Sequence, residues 1–69
     1  MKTFEIWSEG YIITGGSGTA LLRGKIKADS FKEACDILFG GDRFYNPKNL
    51  TYWGCRLFDN ETDARKAFG

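Results

Sequence analysis

Two cysteines, nine carboxylates and one glycine-rich run are the material from which this chain of 69 residues could build a reactive site. Cys35 and Cys55 lack the C-x-x-C spacing of a redox motif, and two thiols cannot make a four-thiolate zinc site. No histidine is present. That absence removes the usual general base at neutral pH, the imidazole of Ser and Cys triads, and the histidine ligands of zinc. A carboxylate pair is the remaining route to acid–base chemistry. Glu5 and Glu9 share one strand face, where basic residues of a neighbouring strand are expected to neutralise them. The run Thr14-Gly15-Gly16-Ser17-Gly18-Thr19 has the glycines of a phosphate loop, but neither its lysine nor a following helix. A hairpin turn suits it better. Catalysis is the least favoured class, and neither a metal nor a cofactor is expected.

What remains is binding. Two Trp, three Tyr and six Phe are more rings than so short a chain can enclose, since a domain of this size buries only about 60% of its unfolded surface. A net charge of +1 gives no overall field for nucleic acid or an anionic membrane. Alternation along the expected strands puts Trp7, Arg23, Lys25, Tyr52 and Arg56 together on one sheet face. Rings interleaved with cations there suit a protein interface, where Trp, Tyr and Arg are favoured anchors, stacked single-stranded bases, or simply a half-solvated sheet whose long cationic side chains lie across the rings. Glu5 and Glu9 on that face weigh against nucleic acid. Arg43 and Tyr45, in the loop Arg43–Lys48, form a second candidate contact, unless the aromatic pair Phe44-Tyr45 folds back onto the core.

The elements that must position these residues follow from periodicity. Phe4 and Ile6 alternate with Glu5 and Trp7, and the strand is expected to continue through Tyr11, Ile12 and Ile13. Ala20 to Ala28 reads as its hairpin partner. A three-residue loop, Gly15-Gly16-Ser17, pairs Phe4 with Ala28, Ile6 with Ile26, Trp7 with Lys25 and Glu9 with Arg23. Ser30 and Glu33 make a capping box ahead of Phe31, Ala34, Cys35 and Leu38, and Gly40-Gly41 ends that helix. Residues 42–50 are a loop. Thr51–Phe58 reads as a third strand with Trp53, Cys55 and Leu57 inward and Tyr52 outward. A short helix near the C-terminus follows, capped by Asp59 or Asn60 and carrying Ala64, Ala67 and Phe68. The expectation is one α+β domain over residues 1–69, of order β-β-α-β-α. It has a three-stranded antiparallel sheet of order 2-1-3 and one helix on one face, leaving the other face open unless the second helix or a partner chain covers it. On that scheme Trp53→Ala unfolds the chain and Trp7→Ala does not. Both cysteines are expected in the core as small apolar groups, although a helix thiol over a strand thiol could approach disulfide distance. The N-terminus has no apolar run of the signal or spanning kind, so a cytoplasmic protein without a membrane partner is expected.

Three segments carry a resemblance: Phe4–Tyr11, Ser30–Cys35 and Tyr52–Asp59. Through them the chain resembles small proteins encoded by bacteriophages and other bacterial mobile elements. The hairpin followed by an A-x-S-x-x-E-A helix is similar to the DpnD/PcfM-like accessory domains. The resemblance implies an accessory-protein setting and no transferable activity. Together these readings give a non-enzymatic interaction protein, binding a protein partner or a second copy of itself. A small single-stranded nucleic-acid-binding module is the alternative.

Overall fold

Hydrophobic alternation carries the first strand only as far as Ser8. In the computed structural model, which describes all 69 residues, β1 (Lys2–Ser8) and β2 (Leu21–Ala28) form an antiparallel ribbon. Phe4 lies opposite Ile26, Ile6 opposite Gly24, and Lys2 opposite Ala28. The expected register was therefore two residues out, and the three-residue loop is replaced by the long connection Glu9–Ala20. A slip of two preserves faces, as the period of a strand is two. Phe4, Ile6, Ile26 and Ala28 still share the core side. Between Ile6 and Trp7 the register shifts: Gly24 and Leu22 have partners and Arg23 is the extra residue of a bulge.

The helix α1 (Phe31–Phe39) begins as its capping box dictates. The Ser30 hydroxyl accepts from the Glu33 amide at 3.1 Å, and the Glu33 carboxylate accepts from the Asp29 amide at 3.1 Å. Ala34, Cys35 and Phe39 bury themselves against Ile6, Ala28 and Leu57. Ala34 and Cys35 are fully covered, so an enlarged side chain at either would cost about 1–3 kcal/mol by overpacking. Gly41, at φ +87°, supplies the left-handed residue that turns the chain away from the helix.

The expected third strand is broken. In its place is a small meander of β3 (Tyr45–Asn46), β4 (Thr51–Tyr52) and β5 (Cys55–Arg56), each pairing antiparallel with the next. The break falls at Trp53-Gly54, where φ is +57° and +74°. A two-residue turn with positive φ at both positions is the tight hairpin connection that right-handed strand twist favours, and Gly54 makes half of it easy. The turn reverses the inside–outside pattern. Tyr52 enters the core, 9% exposed and stacked on Phe39 with centroids 4.6 Å apart. Trp53 leaves it for the margin. Past the meander, Leu57 returns to the core. Phe58 then bridges to Trp7, with amide–carbonyl bonds of 2.8 and 2.9 Å. A ribbon, a separate meander and this single bridge thus replace the expected continuous three-stranded sheet.

The last helix, α2 (Glu61–Phe68), is capped by Asn60, whose side-chain oxygen accepts from the Asp63 amide at 2.8 Å. Its buried Ala64 and its Phe68 pack with Trp7, Ala20 and Phe58. Successive residues of β1 point to opposite faces, so Ile6 meets α1 and Trp7 meets α2. α2 covers the Trp7 end of the face expected to be open, while Thr3, Lys25 and Lys27 at its far end stay exposed. The fold is a small α+β unit with two helices and antiparallel sheets. Neither helix is long and apolar enough to cross a membrane.

Candidate functional site

The face proposed from alternation does not assemble as a surface. Trp7 has the expected phase but is only 8% exposed, covered by Ala64, Phe58 and Phe68. Its indole N–H donates to Glu5 at 2.8 Å, and the Arg65 guanidinium lies 5.6 Å above the ring. Tyr52 faces inward because the Trp53-Gly54 turn intervenes. Arg23 does meet Tyr52, 5.2 Å over its ring, but as an internal residue with 16% of its side chain exposed. Lys25 is exposed and lies opposite Glu5 on the ribbon. Arg56 is exposed over the Phe58 ring at 5.3 Å. Trp7, Tyr52 and Arg23 are therefore packing and anchoring residues.

Arg43 and Tyr45 do come together with others, at the meander. Phe44, 44% exposed, stacks on Trp53 with centroids 4.3 Å apart and planes 26° from parallel. The Arg43 guanidinium lies 5.4 Å over the Phe44 ring. Together these three make a cation–aromatic ladder. Beside it an open cleft of about 530 Å³ is lined by Tyr45, Asn46, Pro47, Thr51 and Gly54 as well as the ladder. The loop divides as its chemistry requires. Asp42 accepts from the Phe44 amide at 2.9 Å, holding the bend, while Tyr45 turns back onto Phe39 at 5.4 Å. The Tyr45 hydroxyl donates to Asp36 at 2.7 Å. Asn46 accepts from the amides of Lys48 and Asn49, an Asx turn that closes β3 onto β4. Phe44 lay within the candidate loop, whereas Trp53 was expected in the core and was not singled out as a contact. The available signal was the dipeptide Trp53-Gly54, a turn signature inside an otherwise strand-like run.

A second cleft of about 410 Å³ shares Tyr45 and Pro47 with the first and adds Lys32, Asp36, Gly40, Gly41 and Asp42. The Asp36 carboxyl is held below its usual range by the Lys32 ammonium, 2.7 Å away, and then by the Tyr45 hydroxyl. Burial, and then the bond to Asp36, pushes the Tyr45 phenol up. Burial raises Tyr52 as well, with the Asp42 charge next in weight.

Glu9 and Arg23 form the most enclosed polar cluster. Glu9 is 1% exposed and its Oε1 lies 3.5 Å from Arg23. Ser8, fully buried, accepts from Arg23 Nε at 2.6 Å. Neither Glu9 nor Arg23 lines either cleft, so the pair fixes backbone and faces no substrate space. Both cysteines are free. Burial, reinforced by Asp36, pushes the Cys35 thiol to about 11, so it stays protonated at neutral pH. Cys55 is only partly buried and lies 3.3 Å from the Tyr11 hydroxyl, which corrects its expected place in the core. That contact is the main cause raising the Tyr11 phenol. No three metal-ligating side chains converge. Comparison with family models, characterised proteins and solved structures finds no match.

Proposed function

We propose that this chain is a non-enzymatic interaction module that contacts another protein through the Arg43–Phe44–Trp53 ladder and the cleft beside it. The supporting observation is Trp53. A bulky residue at φ +57° is uncommon and costs of the order of 1 kcal/mol, where Asn or Gly would fit more easily. The indole is nonetheless held there, stacked on an exposed Phe44 and next to Arg43. Trp and Arg grouped beside a concave surface have the composition of binding hot spots. Of the cations singled out from the sequence, only Arg43 lines the cleft. That favours a protein over a nucleic acid, whose binding would draw on several phosphate contacts. The accessory-protein setting implied by the mobile-element resemblance belongs to the same proposal.

Trp53→Asn gives the test, because Asn-Gly suits this turn and removes only the ring. The wild-type chain is expected to retain a protein from bacterial extract at both low and high salt. Trp53→Asn, with an unchanged circular dichroism spectrum, is expected to lose it. Equal retention by both would refute the proposal. Binding to oligo-dT, read by fluorescence anisotropy and falling steeply with salt, would replace the proposal with the nucleic-acid reading.

A further inference from the structure

The connection between β1 and β2 offers a second surface, independent of the aromatic ladder. Its 3-10 turn, Ile12–Thr14, leaves Ile12 80% and Ile13 77% exposed, with Tyr11 48% exposed beside them. Single exposed apolar residues are ordinary on a protein. Here an adjacent isoleucine pair stands on a loop that is fastened from beneath. The buried Glu9 carboxylate accepts from the Tyr11 amide at 2.8 Å and from the Thr14 hydroxyl at 2.9 Å. Arg23 donates to the Thr14 carbonyl and hydroxyl, each at 2.9 Å. The Gly18 amide donates to the Gly10 carbonyl at 2.7 Å. At the neck, a Cβ on Gly10 would fall 1.5 Å from the Thr19 carbonyl oxygen, and one on Gly16 2.4 Å from that of Gly10. The backbones cross where only glycine fits. The isoleucines are thus presented already ordered, so that covering them costs little further loop entropy.

We infer that this tip inserts as a knob into an uncharged, apolar pocket of a partner protein. Residues 10–22 contain no Asp, Glu, Lys or Arg, in a chain that is 28% charged. The flanking Glu9 and Arg23 turn inward and neutralise each other. A phosphate-bearing surface, whether nucleic acid or acidic membrane, finds no cation on the tip. A neutral pocket strips it of no solvated charge. Two isoleucines and part of a tyrosine offer a few hundred square ångströms, against roughly 800 Å² per partner in a stable interface. Tip-to-tip contact between two convex loops would cover only part of each isoleucine, whereas a pocket surrounds both side chains and buries all the apolar area they expose.

The test places the photo-crosslinker p-benzoylphenylalanine at position 11 of the full chain and irradiates it in bacterial extract. The expected result is one dominant adduct with a different protein, insensitive to salt. It should fall about tenfold or more for each of Ile12→Asp and Ile13→Asp, and should be unchanged in Trp53→Asn. Both isoleucines are solvent-facing, so circular dichroism should show these variants folded. An adduct counts only with that dependence. Adducts that persist in the aspartate variants would overturn the inference, as would adducts confined to copies of this chain. Co-sedimentation of the chain with phosphatidylcholine or phosphatidylglycerol vesicles would overturn it in favour of a lipid surface. Loss in Trp53→Asn alone would leave the ladder standing and remove the tip.

Discussion

Trp7 lies in extended backbone, bridged to Phe58 through both its amide and its carbonyl and roofed by Ala64 and Phe68. Trp53 lies in a left-handed turn, stacked on an exposed Phe44. The two residues share a side chain and differ in what the surrounding chain gains from them. Around Trp7 every neighbour depends on the ring, because α2 has little else to bury: Ala64 and Phe68 are nearly all of its apolar face. Around Trp53 the core is already closed by Tyr52 on Phe39, and the indole rests on its edge at a cost in backbone strain. A ring that the fold needs is a poor guide to function. A ring kept where the backbone disfavours it is a better one.

The largest effect that would sharpen this contrast is expected from Trp7→Ala. Removing a buried indole costs about 3–5 kcal/mol, comparable to the whole stability of a domain this small. Thermal unfolding followed by circular dichroism should show a chain largely unfolded at room temperature; a cooperative transition near the wild-type midpoint would break the comparison. Next is Glu9→Ala, expected to cost about 3 kcal/mol because it leaves the Arg23 guanidinium mostly buried and unpaired. Urea titration measures that loss, and a midpoint within error of wild type would show that the β1–β2 loop is not held from beneath.

A pH effect separates the two regions further. Tyr45 and Tyr52, which hold the meander on Phe39, bind their protons more tightly folded than unfolded, chiefly through burial. Their contribution is fully present below the unfolded-chain value of about 10 and is lost as pH rises through the folded values. Stability should therefore fall above about pH 10. Phe replacing both tyrosines should flatten that fall, as read by thermal midpoints across alkaline pH. The smallest change is expected from Trp53→Asn. Lost stacking of about 0.5–1.5 kcal/mol is offset by relief of the left-handed turn, leaving a net change of about 1 kcal/mol or less. Differential scanning calorimetry would show whether the midpoint stays close to wild type.

The parts of this fold legible in the sequence are those fixed by local chemistry. Ser30 and Glu33 announce α1, Gly40-Gly41 ends it, Asn60 caps α2, and the alternation of Phe4, Ile6 and Trp7 assigns their faces correctly. The parts that were not legible depend on distant partners. The ribbon register follows from a loop tied together by Glu9, Thr14 and Arg23, and no local pattern marks a glutamate that turns inward. The destination of α2 is a tertiary choice as well, and it covers the Trp7 end of the face that alternation alone leaves open. At the candidate site the grouping of Arg43 and Tyr45 in one loop was legible, and both line the same cleft. Trp53 was missed because one left-handed turn exchanges the places of Tyr52 and Trp53, while Arg56 and Leu57 keep the sides that alternation gives them.

Single-tryptophan fluorescence measures this inversion most directly. Trp7→Phe leaves Trp53 as the only indole, and Trp53→Phe leaves Trp7. Acrylamide should quench the half-buried Trp53 more readily, and from a longer-wavelength maximum, than Trp7, whose emission stays blue-shifted and protected. Equal protection of both, or a Trp7 indole quenched more easily than Trp53, would contradict the assignment of one ring to the fold and the other to the surface.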